Sequence, residues 1–114
     1  RDMKANAARF DEGSFERASL LGAQLRRASL QRIRAASTDL RRADLRHADA
    51  LFGDFTGASF HGADLRDANL RQSCLHGADL RHADTTGADF GLAQRHDEPR
   101  AKAERFQPVM RRGS

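Results

Sequence analysis

Leucine and phenylalanine recur every five residues along most of this chain. Phe10, Phe15, Leu20, Leu25, Leu30, Leu40, Leu45, Phe55, Phe60, Leu65, Leu70, Leu75, Leu80 and Phe90 all fall on multiples of five. Between positions 10 and 90 only Ala35, Ala50 and Thr85 depart from that register. Two residues before most of these centres stands an alanine, from Ala8 to Ala88, and Gly13, Thr38, Gly53 and Ser73 fill most of the gaps.

A period of five suits neither ordinary element. On an α-helix, at ~100° per residue, successive centres would rotate by ~140° and scatter around the axis. On a flat strand, an odd spacing would send alternate centres to opposite faces. A single buried side results only if the backbone bends once per pentad. The centre and the small residue two before it then point into one column. The pentad centred on Ala35 keeps to this scheme by exchange, because Ile33 stands two before it and the inward volume is roughly conserved.

Composition points the same way. The chain has 114 residues, no Trp or Tyr, and a mean hydropathy well below zero. Its length suits one domain. A conventional globule of this size would be short of core material, whereas stacked repeats need only a thin continuous column.

Runs such as Ala63-Asp64-Leu65-Arg66-Asp67, Ala68-Asn69-Leu70-Arg71-Gln72 and Ala78-Asp79-Leu80-Arg81-His82 resemble the A(D/N)LXX signature of the pentapeptide-repeat family. The match spans residues 8–92, or seventeen pentads. The resemblance implies an all-β fold, a right-handed quadrilateral β-helix (β-solenoid) with four pentads per coil. The rod would then have about four coils and stand roughly 20 Å tall at ~4.8 Å per strand. Residues 1–7 read as an N-terminal lead-in or cap, and 93–114 as a C-terminal tail.

The tail carries a short α-helix signal. Asp97 suits an N-cap, Glu98 and Pro99 the first turn, and Ala101–Phe106 propagation, with Pro108 as the stop. Phe106, Val109 and Met110 give it an apolar end. An open β-helix exposes strand edges, so the tail is expected either to cap the last coil or to pair two rods into a homodimer.

If residues twenty apart stack, the outward chemistry falls into ladders. One holds Arg26, Arg46 and Arg66 beside Arg27, His47 and Asp67; another holds Arg41, His61 and Arg81 beside Arg42 and His82. Most acids (Asp39, Asp44, Asp49, Asp54, Asp64, Asp79, Asp84, Asp89) stand one residue before a centre and are expected to be recessed. Two readings follow. The charges neutralise one another in a solvated lattice, or Arg26, Arg46, Arg66, Arg41, Arg81 and His61 attract an anionic partner. Residues 1–92 hold fourteen Lys/Arg against thirteen Asp/Glu, so the rod is nearly balanced and the tail supplies most of the net +4. Beside the undersized Ala50, Leu51 and Phe52 read either as an outward contact patch or as a bulge tucking Phe52 into the void.

Catalytic chemistry has no evident seat. The five histidines lack metal-ligand spacing; His61 and His82 approach on one face and Cys74 and His76 on another, without a second pair. Ser14, Ser19, Ser29 and Ser59 replace the family's Asp/Asn, which suggests backbone hydrogen bonding rather than nucleophilicity. No phosphate-binding loop is present. Neither enzyme activity nor a cofactor is expected. The lone Cys74 suits a reducing bacterial cytoplasm, and no stretch is apolar enough to span a membrane. The chain starts at Arg1 without Met, as expected of a trimmed or excised segment.

The primary expectation is a non-catalytic scaffold for a protein partner. The fluoroquinolone-resistance members of the family imply a second reading, a DNA mimic that modulates DNA gyrase or topoisomerase. That role calls for a long, acidic, usually dimeric rod, and this chain has basic ladders instead. A third reading is an anion- or nucleic-acid-binding module, which here lacks interleaved aromatics for stacking on bases.

Overall fold

A computed structural model describes residues 3–95. Across that span one unit repeats: a residue in a parallel β-bridge, an inward centre, and two turn residues. The bridges join residues twenty apart, as in Gln24↔Asp44, Asp44↔Asp64 and Asp64↔Asp84. The chain therefore closes one coil every twenty residues and turns four times within it. This is a β-solenoid.

Four backbone hydrogen bonds hold each interior pentad, as around Leu45. The Leu45 and His47 amides donate to the carbonyls of Asp64 and Arg66 on the next coil, at 2.8 and 3.0 Å. The Asp44 amide donates to Ala23 on the previous coil at 2.9 Å. Finally the Ala48 amide donates back to the Leu45 carbonyl at 3.0 Å and closes the turn. The second turn residue is left-handed at every position from Ala7 to Leu92, with φ between 57° and 74°. That conformation costs an L-residue roughly 1–2 kcal/mol. Most of these positions are nevertheless Arg, His, Phe or other side-chain-bearing residues, glycine standing only at 22, 57, 62, 77 and 87. Cross-coil pairing and core burial override the local preference.

The coil reaches beyond residues 8–92. Lys4 bridges Gln24 and Cys74 bridges Gln94, so residues 3–7 belong to the first coil rather than to a separate lead-in. The helix expected in the tail, and Phe106, Val109 and Met110 with it, lie outside the described residues.

Of the centres, Leu20, Leu25, Leu30, Leu40, Leu45, Phe55, Phe60, Leu65, Leu70, Leu75 and Phe90 are buried. Phe10, Phe15 and Leu80 are only partly buried, packed against the column near its ends. Ile33 and Ala35 are both inside, so the exchange of large and small preserves the column. A second compensation pairs glycine with phenylalanine. A Cβ on Gly53 would lie 2.5 Å from Cε2 of Phe55, and one on Gly13 would lie 2.9 Å from Cε2 of Phe15. Each ring thus lies over the bare backbone two residues before it. Phe10 meets Phe15 edge-on at 5.4 Å, and Phe55 meets Phe60 at 5.3 Å, both within the favourable range for aromatic pairs. The buried hydroxyls of Thr38 and Ser73 donate to the Phe15 and Leu70 carbonyls, at 2.6 and 2.7 Å. Toward the N-terminal end a cavity of about 10 Å³ lies among Phe10, Phe15, Leu20, Ile33 and Ala35. Its apolar lining offers a water molecule no hydrogen-bond partner.

The bulge expected at Phe52 does not form. The turn there is regular, with φ 60° at Phe52, and the Asp54↔Cys74 bridge continues the ladder. The Phe55 ring already lies over the bare backbone of Gly53. Phe52 stays outside, 41% exposed, with the Arg32 guanidinium 4.7 Å from its ring centroid.

Candidate interaction surface

The outward surface follows from where each pentad places its polar atoms. The first turn residue makes no cross-coil backbone bond through its amide, and the aspartate two residues earlier accepts that N–H. Asp39, Asp44, Asp49, Asp54, Asp64, Asp79, Asp84 and Asp89 all do so, at 2.9–3.3 Å. Asn69 does the same for Arg71 at 3.0 Å. This is a local side-chain-to-backbone bond of the Asx type, and it explains the Asp/Asn in the signature. Serine at the same position behaves differently. Ser29 donates its hydroxyl to Asp11 rather than bonding backbone, and Asp11, from the coil before, accepts the Gln31 amide instead. Ser14 likewise donates to Glu16. The backbone role expected of these serines is corrected for Ser14 and Ser29; a hydroxyl reaches less far than a carboxylate.

Where the first turn residue is arginine, the same aspartate clamps it. Arg41 donates Nε and Nη2 to the two oxygens of Asp39, both at 2.8 Å. Arg46 grips Asp44 at 2.9 and 2.7 Å, Arg66 grips Asp64 at 2.8 and 2.6 Å, and Arg81 grips Asp79 at 2.9 Å twice. These are bidentate, charge-assisted pairs. The Arg81 clamp holds the Asp79 carboxyl down at about 2. Asp39, Asp44 and Asp64 are lowered for the same reason, hydrogen bonds from Arg41, Arg46 and Arg66. The carboxylates are recessed and the arginines stand further out: the Asp79 side chain is 28% exposed against 78% for Arg81.

The two arginine ladders differ in what surrounds them. At the corner of Arg26/Arg27, Arg46/His47, Arg66/Asp67 and Thr86/Gly87, cations alternate with carboxylates. Arg46 also lies 3.7 Å from Asp64, Arg66 lies 3.8 Å from Asp84, and His47 lies 3.7 Å from Asp67. Arg26 keeps Asn6 as the acceptor of its amide, at 2.8 Å, and its charge helps lower Asp44. At the corner of Leu21/Gly22, Arg41/Arg42, His61/Gly62 and Arg81/His82 no acid occupies a turn position. His61 and His82 meet edge-on there, ring centroids 4.9 Å apart, while Arg42 lies against Gly62. Among the described residues no group of three His, Cys, Asp or Glu side chains could hold a metal ion. Cys74 lies 3.1 Å from the Thr56 hydroxyl. No helix among the described residues is long and apolar enough to cross a membrane.

The i, i+2 clamp is a feature that reading for ladders alone misses. Its signal is the triplet Asp-Leu-Arg, which stands at 39–41, 44–46, 64–66 and 79–81.

The family model of pentapeptide repeats matches residues 23–62, 38–77 and 73–94, with eight copies. Among solved structures, a pentapeptide repeat protein from Nostoc PCC 7120 is 31% identical, with a TM-score of 0.67, covering 79% of this chain and 80% of that one. The pentapeptide repeat protein Rfr23 from the cyanobacterium Cyanothece 51142 is 24% identical, TM-score 0.71, covering 82% of this chain. The chain spans 60% of that protein's length. A pentapeptide repeat protein from the Arabidopsis thaliana thylakoid lumen is 22% identical, TM-score 0.51, covering 96% of this chain and 77% of that one. None of the curated proteins matches. The family model covers well over half of the residues, and on that match the chain belongs to the pentapeptide-repeat family.

Proposed function

We propose that the chain is a right-handed, four-sided rod of about four coils that serves as a non-catalytic scaffold for a protein partner. The observation that carries this reading is the clamped surface. Backbone pairing holds each outward residue in register with those twenty before and after it, and Asp–Arg clamps fix Arg41, Arg46, Arg66 and Arg81. A partner binding such a surface meets side chains already ordered, which lowers the entropy cost of association. Exposed Phe52 under Arg32 adds an aromatic–arginine pair of the kind enriched where interfaces concentrate binding energy.

The DNA-mimic reading has less support. A mimic needs a surface of outward carboxylates, and here the clamped acids Asp39 and Asp79 are recessed beneath Arg41 and Arg81. The test is capture from the source cells with the immobilised rod, competed by free rod, alongside duplex DNA. The scaffold reading expects a defined protein to be retained and released by competition, with duplex DNA ignored. Retention of duplex with an affinity falling steeply in salt, or of no protein, would overturn it.

A further inference from the structure

Both arginine corners read as equally basic along the chain, yet only one is neutralised across its coils. At the Arg46 corner, Asp44, Asp64, Asp67 and Asp84 are interleaved with the cations, and Arg46, His47 and Arg66 each face a carboxylate on the following coil at 3.7–3.8 Å. At the Arg41 corner the next coil below Arg41 presents Ser59, not an acid, in the bridging position. Among the described residues Arg41 and Arg81 have one carboxylate each, Asp39 and Asp79, and remain 52% and 78% exposed. Arg42 is exposed and, among the described residues, has no carboxylate in ion-pair range. His61 and His82 complete the strip, touching each other.

We infer that this corner (Arg41, Arg42, His61, Arg81 and His82) is the docking edge for an extended acidic segment of a protein partner. The inference rests on the scaffold reading and names the partner chemistry. Three features select an acidic peptide over a nucleic acid. The strip is one residue-pair wide, and the aspartates 39 and 79 on one side and 44, 64 and 84 on the other would repel a broad phosphate surface. Its only unclamped permanent charge is Arg42, far fewer cations than the several phosphate contacts that give duplex binding its strength. Its length also fits. Two coils at ~4.8 Å put Arg41/Arg42 about 10 Å from Arg81/His82, the span of roughly three extended residues.

Around the two histidines stand Arg41, Arg42 and Asp39 on the coil before, Ser59 and Asp79 on the flanking face, and Arg81 on the coil after. Both carboxylates 39 and 79 are already committed to arginines.

The test uses a fluorescein-labelled Asp/Glu dodecapeptide, read by anisotropy at low salt. Arg42 and His82 both occupy left-handed turn positions, φ 60° and 62°, so R42G/H82G removes charge where glycine suits the backbone. R27G/H47G is the matched control at the other corner, φ 61° and 59°. The peptide should lose on the order of threefold to tenfold in affinity with R42G/H82G and be little affected by R27G/H47G. No binding, equal loss in both variants, or tighter binding of duplex DNA or anionic vesicles than of peptide would overturn the inference. A protein captured from cells that still binds R42G/H82G unchanged would leave the scaffold reading intact and remove this edge from it.

Discussion

The first coil and the interior coils carry the same motif and have different cores. Phe10 and Phe15 occupy centres just as Phe55 and Phe60 do, and each pair of rings packs at nearly the same distance. Phe55 and Phe60 are nonetheless buried, while Phe10 and Phe15 remain partly open. A pentad supplies one large inward side chain, and its burial comes from the coils on either side of it. Stability in such a rod is a nearest-neighbour property, so a motif repeated evenly in sequence is spread unevenly in free energy.

Substitutions made in parallel in the two regions sharpen that comparison. Phe55→Ala should cost ~3–5 kcal/mol, and Phe15→Ala about half as much because part of the ring already meets solvent. Urea unfolding followed by circular dichroism reads both, and equal losses would erase the distinction. Gly53→Ala comes next. The new methyl would press on the enclosed Phe55 ring, 2.5 Å from Cε2, for a cost of ~1–3 kcal/mol, while Gly13→Ala should cost a comparable amount, its ring contact being looser but its methyl meeting the Phe10 carbonyl oxygen at 2.9 Å.

The clamps give a third contrast. Asp39, Asp44, Asp64 and Asp79 are all lowered in the folded rod by arginine hydrogen bonds. Their stabilisation is therefore complete above the unfolded carboxyl value of roughly 3.9. It drains away as pH falls, through about 2 for Asp79. With surface screening each pair contributes under ~1 kcal/mol, so acid should lower amide protection modestly and first around residues 39–81. The smallest effect is local. Replacing arginine by glycine at the left-handed positions 17 and 42 (φ 59° and 60°) should gain up to ~1 kcal/mol after glycine's extra chain entropy is counted. The gain should be the same in the first coil and the interior. A gain confined to one would show that the strain is not set by the turn itself.

Much of this rod was legible in the sequence because one period governs it. The inward column and its Ile33/Ala35 exchange follow from spacing, and the stacking of residues twenty apart is what the resemblance to the pentapeptide-repeat family implies. What spacing does not contain is side-chain reach. Arg46 and Arg41 look alike as letters, and only the turn geometry brings each guanidinium back onto the aspartate two residues earlier. Whether a second carboxylate arrives from the next coil depends on Asp64 standing in one ladder and Ser59 in the other. The left-handed turns were also hidden, since side-chain-bearing residues occupy most of them and the usual glycine signal is diluted. At Phe52 the small Ala50 suggested a void, yet the turn stays regular and Phe52 remains outside. The half-burial of Phe10 and Phe15 could not be read from their own pentads, because it depends on what lies beyond them.

The central claim is that each centre's amide reaches the coil nineteen residues on. Through-hydrogen-bond scalar couplings in NMR observe such pairs directly. The rod predicts couplings from the Leu25, Leu45 and Leu65 amides to the carbonyls of Asp44, Asp64 and Asp84, all hydrogen-bonded at 2.8 Å. Couplings from these amides to carbonyls four residues earlier, the helical pattern, would contradict it.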